Sequence, residues 1–209
     1  MPAGGRVLID GQWREPGLYG REVYPAGIDL ALPQPPRHPR DPFAAGREVL
    51  TLFERCYWRR AIDPRLALGA LACLIAGGPL TWRPILAING ETDVGKSLLF
   101  SWWEALGAGW VVTTQDTTEA GIRGTLGYDS LGVVVDEAEP DTHGRIERIT
   151  KMGRRTSGDG RVHRGTPTNQ GAIESNLYCT IALGAIERSG FAALRDARAR
   201  QAHRGAAAC

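Results

Sequence analysis

The eight residues from Gly90 to Ser97 place two glycines, a lysine and a hydroxyl at the spacing G-x-x-x-x-G-K-S. The members of this run are Gly90, Glu91, Thr92, Asp93, Val94, Gly95, Lys96 and Ser97. The two glycines let the backbone turn so that successive N–H groups point at phosphate oxygens. A lysine here reaches the β- and γ-phosphates as a point charge, and the serine hydroxyl ligates Mg²⁺. The run therefore predicts a P-loop that binds ATP together with Mg²⁺.

An acidic pair, Asp136 and Glu137, follows the apolar run Val133-Val134-Val135. An unpaired carboxylate near the core costs free energy, so we do not expect a buried strand to end in two acids unless their charge has a function. We expect Asp136 to act on Mg²⁺ from outside its direct coordination, and Glu137 to be the base that polarises the attacking water. A solvated loop is the alternative for an isolated acidic pair, but the position after a P-loop favours the functional interpretation.

The elements that must position these groups follow a rhythm of strand, turn, helix and strand, which is typical of a parallel α/β sheet. We predict strands over residues 85–88, 110–113, 131–135 and 177–183, and helices over residues 96–106, 118–127 and 144–155. The P-loop run thus lies between a strand and a helix, which is the context that such a loop requires. Residues 161–175, with a turn at 166–169, predict an inserted β-hairpin.

Composition and Pro/Gly positions predict one main domain with a small flank. We predict a β-rich appendage over residues 1–32, a Pro-rich linker over 33–43, a helical flank over 44–78, a P-loop core over 79–188 and an Ala/Arg-rich tail over 189–209. The tail has no clear strand or lid-helix pattern, so a shortened C-terminus stays open as an alternative. The predicted fold class is α/β: a P-loop NTPase core with helices around a parallel sheet, an inserted hairpin and a small N-terminal β/helical flank.

Bulk properties exclude several classes of protein. With 43% hydrophobic and 23% charged residues, the composition is that of a globular protein. A formal charge of +2 is too small to indicate nucleic-acid binding by itself, so any basic surface must be local. The four cysteines form no C-x-x-C pair, which argues against a zinc site. The chain shows no signal-peptide pattern, and residues 66–75 are too short an apolar stretch to span a bilayer, so we expect a cytoplasmic protein without a membrane partner.

Several blocks of the chain, taken in order, resemble the ATPase module of phage- and plasmid-type primase-helicase proteins. They are Thr81-Trp82-Arg83-Pro84, the P-loop, Thr118 to Arg123, Val135 to Glu139, and Ser157 to Gly160 with Arg164 to Pro167. The resemblance spans about residues 50–187. It implies an additional-strand P-loop ATPase related to AAA+ and superfamily III helicases, which works as a homo-oligomeric ring or filament on DNA.

The same resemblance assigns roles outside the P-loop. Residues 161–175 correspond to the hairpin that contacts DNA in superfamily III helicases, so Arg161, His163 and Arg164 are expected to contact phosphates of single-stranded DNA. An ordinary basic surface hairpin is the alternative. Arg188 is the expected arginine that a neighbouring subunit inserts at the γ-phosphate.

Two further features of the core concern residues outside these roles. Glu119 and Arg123 are spaced for an ordinary helical ion pair. The end of the last strand, residues 183–186, lacks the polar residue expected to orient the water, and only Thr180 offers a hydroxyl upstream. Slow hydrolysis is therefore expected.

Two other functions stay open at this point. A P-loop kinase for a small molecule or nucleotide needs an acceptor pocket and an arginine-bearing lid, whereas the acidic pair favours water as the acceptor. A truncated remnant that binds ATP without hydrolysing it is the second alternative.

Overall fold

The computed structural model describes residues 2–3, 6–24, 27, 30, 41, 43–115, 117–127, 129–138, 144–156, 162–165, 172–175 and 177–186. Two of the predicted site residues, Arg161 and Arg188, lie outside these ranges.

The N-terminal part forms short antiparallel strands. They are β1 (Pro2–Ala3), β2 (Arg6–Ile9), β3 (Gln12–Arg14), β4 (Gly17–Tyr19) and β5 (Glu22–Tyr24). The first three form one sheet, and β4 pairs with β5 in a hairpin. The turn between β2 and β3 uses Asp10 and Gly11, both at positive φ, which suits an Asp-Gly pair.

Two helices follow, α1 (Ala44–Phe53) and α2 (Asp63–Ile75). Pro64 lies in the first turn of α2, where its missing N–H costs no helical hydrogen bond. Asp63 supplies a negative charge at the positive end of the same helix. Residues 54–62 separate the two helices.

The main sheet has four parallel strands with helices between them. In chain order, these elements are β6 (Ile85–Gly90), α3 (Lys96–Gly107), β7 (Val111–Gln115), α4 (Glu119–Leu126), β8 (Gly132–Asp136), α5 (Arg145–Arg155), the antiparallel hairpin β9 (Val162–Gly165) and β10 (Ala172–Ser175), and β11 (Ile181–Ile186). The strand order is β6-β11-β8-β7, so β11 lies between the strand before the P-loop and the strand that ends in Asp136. This intervening strand is the additional strand that the resemblance implies.

Helices cover both faces of the sheet. Side chains alternate along each strand, so a strand of apolar residues has apolar side chains on both faces, and both faces are buried. On one face, Val134 and Ala182 pack with residues of α1, α2 and α3. On the other face, Val133 and Leu183 pack with residues of α4 and α5. The arrangement confirms the predicted α/β fold with an inserted hairpin and a β/helical N-terminal flank.

The last strand of the sheet differs from the predicted range. The apolar pattern predicts residues 177–183, whereas β11 covers Ile181–Ile186 and pairs with β6 at six positions. Leu177 and Cys179 are buried without belonging to the ladder, so an apolar pattern alone does not separate them from the strand. The shift carries the strand through Gly184 to the edge of the sheet at the P-loop.

Candidate nucleotide site

The P-loop joins the carboxyl end of β6 to the first turn of α3. Gly95 precedes the helix at φ +89°, and Asp93 also has a positive φ, of +61°. A Cβ atom added to Gly90 would lie 2.8 Å from Val94 Cγ2, so the exposed Val94 side chain would have to move. The conformation therefore favours glycine at both Gly90 and Gly95, as the motif predicts.

The start of α3 is suited to an anion. Among the described residues, no side chain caps this helix terminus. The N-terminal N–H groups of a helix carry a partial positive charge and lack partners within the helix. The loop therefore leads into free backbone donors at the positive end of a twelve-residue helix, a kind of terminus that binds anions.

The Lys96 ammonium lies over this loop. Its Nζ donates hydrogen bonds of 2.9 Å to the Gly90 carbonyl and 2.6 Å to the Glu91 carbonyl. These bonds hold the ammonium beside the loop without neutralising its charge, because both acceptors are uncharged backbone carbonyls. The positive charge can therefore attract an anion bound at the loop.

Ser97 and Asp136 bring the P-loop helix and the end of β8 together. The Ser97 hydroxyl donates a 2.8 Å hydrogen bond to Asp136 Oδ2. The other carboxylate oxygen, Oδ1, accepts the backbone N–H of Glu137 at 3.0 Å. Asp136 is only 5% exposed, and these two bonds offset the cost of burying its charge. The structure therefore brings together the two oxygen groups for which the sequence predicts a Mg²⁺ role.

Glu137 follows Asp136 in an unusual backbone conformation. Its φ of +56° is uncommon for a residue with a side chain, and such conformations cluster at functional sites. Two contacts fix the segment: Ala138 N–H donates to the Gly184 carbonyl at 2.6 Å, and the Arg145 guanidinium lies 3.5 Å from the Glu137 carbonyl. The Glu137 side chain is exposed at the same edge of the sheet as the P-loop.

Gly184 occupies the place where a polar residue was expected to orient water. A Cβ atom added there would lie 2.4 Å from Phe100 Cε2 and 3.1 Å from Asp136 Oδ1. The Phe100 ring, buried in α3, therefore fills the space that a polar side chain on β11 would need. A glycine inside a strand often marks a close approach of this kind, but it does not indicate which residue makes the approach.

Thr180, the upstream hydroxyl, lies elsewhere. It precedes the first residue of β11, whereas the P-loop adjoins the last, so about 20 Å of strand separates them. The Thr180 hydroxyl is buried, and within the described residues it has no hydrogen-bond partner. Thr180 is therefore not a candidate for orienting water at the nucleotide site.

The remaining predicted residues stand as follows. Arg123 and Glu119 form the expected ion pair on α4, with a 3.0 Å N–O distance. Arg161 and Arg188 lie outside the described residues. His163 and Arg164 belong to β9, where they pair in register with Glu174 and Ile173 of β10. The hairpin is present as predicted, and its contacts with DNA stay a prediction.

Comparison with known proteins gives only distant matches. No protein-family model matches the chain, and a search of curated proteins finds no match either. Among solved structures, the apo structure of the NrS-1 C-terminal region is 16% identical, with a TM-score of 0.45 over 67% of this chain and 34% of that chain. The A-form apo structure of the NrS-1 C-terminal region is 14% identical, with a TM-score of 0.46 over 87% of this chain and 40% of that one. The chain thus spans well under half of either structure.

Membrane insertion is a separate question. Within the part of the chain that the structure describes, no helix is both long and apolar enough to cross a bilayer.

Proposed function

We propose that this chain is the Mg²⁺-dependent, ATP-binding and ATP-hydrolysing motor module of a mobile-element DNA replication helicase or primase, of phage or plasmid type. The observation that carries the proposal is the 2.8 Å hydrogen bond between Ser97 and Asp136. It joins the hydroxyl of a P-loop to the carboxylate of a strand 39 residues away, at the sheet edge where Lys96 also lies. An ordinary Gly-rich turn gives no reason for these three groups to meet.

The P-loop would bind the triphosphate. Backbone N–H groups of the loop and of the first turn of α3 would contact phosphate oxygens. Lys96 would exchange its bonds to the Gly90 and Glu91 carbonyls for the β- and γ-phosphates. A charged acceptor makes the stronger hydrogen bond, which favours this exchange.

Ser97 and Asp136 fit a Mg²⁺ ion by their chemistry, since both offer oxygen atoms. Mg²⁺ commonly takes only one or two protein carboxylates and completes its coordination with phosphates and water. Within the described ranges, His, Cys, Asp and Glu side chains form no group of three or more that could hold a metal. The ion would therefore depend on the nucleotide, whose phosphate charge it neutralises when bound.

Glu137 would act on the attacking water. As the water oxygen bonds to the γ-phosphorus, the bond from that phosphorus to the β,γ-bridging oxygen breaks, and ADP and phosphate form. Glu137 would accept the proton that the water loses. Arg188 of a neighbouring subunit in a homo-oligomeric ring would stabilise the charge on the transferred group.

A second function has one observation in its favour. Gly184 and the Phe100 ring stand where a side chain that orients water was expected. An ATP-binding remnant without turnover would tolerate this replacement, whereas an ATPase would be slowed by it.

Phosphate release from Mg²⁺-ATP, measured on the whole chain with and without single-stranded DNA, tests the proposal. Glu137→Gln serves as the control for contaminating ATPases. The motor predicts turnover that DNA stimulates and that Glu137→Gln lowers at least tenfold. Nucleotide binding without turnover would support the remnant, and turnover that requires a small-molecule acceptor would support a kinase; either result overturns the proposed motor.

A further inference from the structure

Arg83 is a buried arginine at the edge of the sheet opposite to the P-loop. It is 5% exposed, and its guanidinium donates to the carbonyls of Gly77 and Gly78, both at 2.6 Å, and to the carbonyl of Thr156. Burial lowers the pKa of Arg83, but an arginine stays protonated in proteins. A buried charge of this kind is stable only because carbonyl oxygens surround it.

The contacts of Arg83 include both ends of the segment that contains the hairpin. Thr156 directly follows α5 and is the last described residue before β9, while Tyr178 lies between β10 and β11. The guanidinium centre is 4.9 Å from the centroid of the Tyr178 ring, which is a cation–π distance. The Thr156 hydroxyl lies 2.7 Å from the Gly153 carbonyl of α5 and 3.1 Å from the Cys179 carbonyl, and its single proton is shared between these two acceptors. One guanidinium therefore holds the two ends of the hairpin segment beside each other.

Capping of α2 explains only part of this arrangement. The carbonyls of Gly77 and Gly78 follow the end of α2 and could accept a hydrogen bond from any donor. The bond to Thr156 joins residues 73 apart in sequence, and the contact with Tyr178 adds nothing to a helix cap. Only the planar fork of arginine can donate to several carbonyls and stack on a ring at the same time.

Arg83 is also connected to the nucleotide site through the chain. It stands two residues before β6, whose last residue is Gly90 of the P-loop. β6 pairs with β11 at six successive positions, from Ile85 opposite Ile181 to Gly90 opposite Ile186. Arg83 and the P-loop therefore lie at opposite ends of one paired strand, about 20 Å apart along it.

We propose that Arg83 is the positioning residue that couples the P-loop strand to the base of the β9–β10 hairpin, so that nucleotide binding changes the hairpin segment. The inference rests on the proposed nucleotide binding, and it adds the path by which that binding reaches the hairpin for which DNA contacts are predicted. Arg83 acts through Thr156 and Tyr178 and touches neither nucleotide nor DNA.

Hydrogen exchange of the whole chain tests the proposal, with and without Mg²⁺ and a non-hydrolysable ATP analogue. The variants are Arg83→Lys, Tyr178→Leu and Tyr178→Phe, with Arg60→Lys as the control because Arg60 pairs with Asp63 at the other end of α2. Titration first establishes the affinity of each variant for the analogue. In the parent chain, the analogue should change exchange in residues 157–176 by on the order of tenfold.

Arg83→Lys and Tyr178→Leu should bind the analogue with unchanged affinity but lose most of that change, while Tyr178→Phe and Arg60→Lys keep it. If Arg83→Lys does not fold, Tyr178→Leu decides alone, because it keeps the buried charge and its carbonyl partners. An unaltered exchange response in the variants, or no response in a parent chain that binds the analogue, overturns the coupling. A parent chain that does not bind the analogue contradicts the proposed function instead.

Discussion

The Ser97 hydroxyl, in the first turn of α3, donates a 2.8 Å hydrogen bond to Asp136 Oδ2 at the end of β8. Because Asp136 is nearly buried, its carboxylate has a fixed position relative to the P-loop. A fixed carboxylate beside a P-loop hydroxyl is the arrangement on which Mg²⁺-dependent nucleotide binding depends.

Asp136→Asn should reduce ATP affinity in Mg²⁺ by on the order of tenfold, because the amide keeps the shape of the side chain but loses the charge that attracts the ion. Affinity measured in EDTA should not fall, because Asp136 is expected to act on the triphosphate only through Mg²⁺. Calorimetric titration in both buffers gives the comparison, with Asp10→Asn in an exposed turn as the control. Equal losses with and without Mg²⁺ would show that Asp136 supports the fold and not the ion.

Glu137→Gln should keep ATP affinity and lower turnover at least tenfold, because glutamine has the same shape but is not a base. The left-handed backbone at this position strains Glu and Gln equally, so the substitution does not add strain. Phosphate release and titration on the same sample provide the two numbers. Glu147→Gln, an exposed change on α5, is the matched control. A parallel loss of affinity and turnover would assign Glu137 a structural role.

Gly184→Ala should destabilise the chain by about 1–3 kcal/mol, because its Cβ would meet the Phe100 ring. Urea unfolding measures the change, and the double variant Gly184→Ala with Phe100→Leu should recover part of the loss. Gly124→Ala is the control, since a Cβ at this exposed helical position meets nothing within 4 Å. That substitution should raise stability by about 0.5–1 kcal/mol. If Gly184→Ala is as stable as the parent, the contact with Phe100 does not restrict this strand.

Replacing Arg161 and Arg164 together by alanine should weaken binding of single-stranded DNA. Each phosphate contact releases counterions and contributes a slope of about −0.7 to log affinity against log salt, so the slope should flatten by on the order of one unit. ATP affinity should not change, because the chain enters and leaves the hairpin segment at the sheet edge opposite to the P-loop. Arg55→Ala with Arg65→Ala removes the same charge from exposed positions of the helical flank. A wild-type salt slope in the hairpin variant would remove these arginines from DNA binding.

Local sequence patterns were sufficient for the parts of the site that are continuous in the chain. The strand, loop and helix around Gly90 and Lys96 follow from residues next to one another, and the apolar run before Asp136 identifies β8. Contacts between distant residues were not predictable in this way. The 73-residue separation between Arg83 and Thr156, and the Phe100 ring against Gly184, depend on the order of strands in the sheet. The wrong range for β11 has another reason: Leu177 and Cys179 are buried without pairing in the sheet, so their apolar character resembles that of a strand.

Calorimetric titration of Lys96→Ala with Mg²⁺-ATP tests the central claim most directly. The chain has two lysines, so Lys151→Ala, which removes an exposed partner of Glu147, is a matched control for the loss of an ammonium group. Among the described residues, Lys96 donates only to loop carbonyls, so its loss leaves none of their buried carboxylates unpaired. We predict that the parent chain and Lys151→Ala bind Mg²⁺-ATP with the same affinity, and that Lys96→Ala gives no measurable heat of binding. Unchanged affinity in folded Lys96→Ala would contradict the assignment of this loop as a nucleotide site.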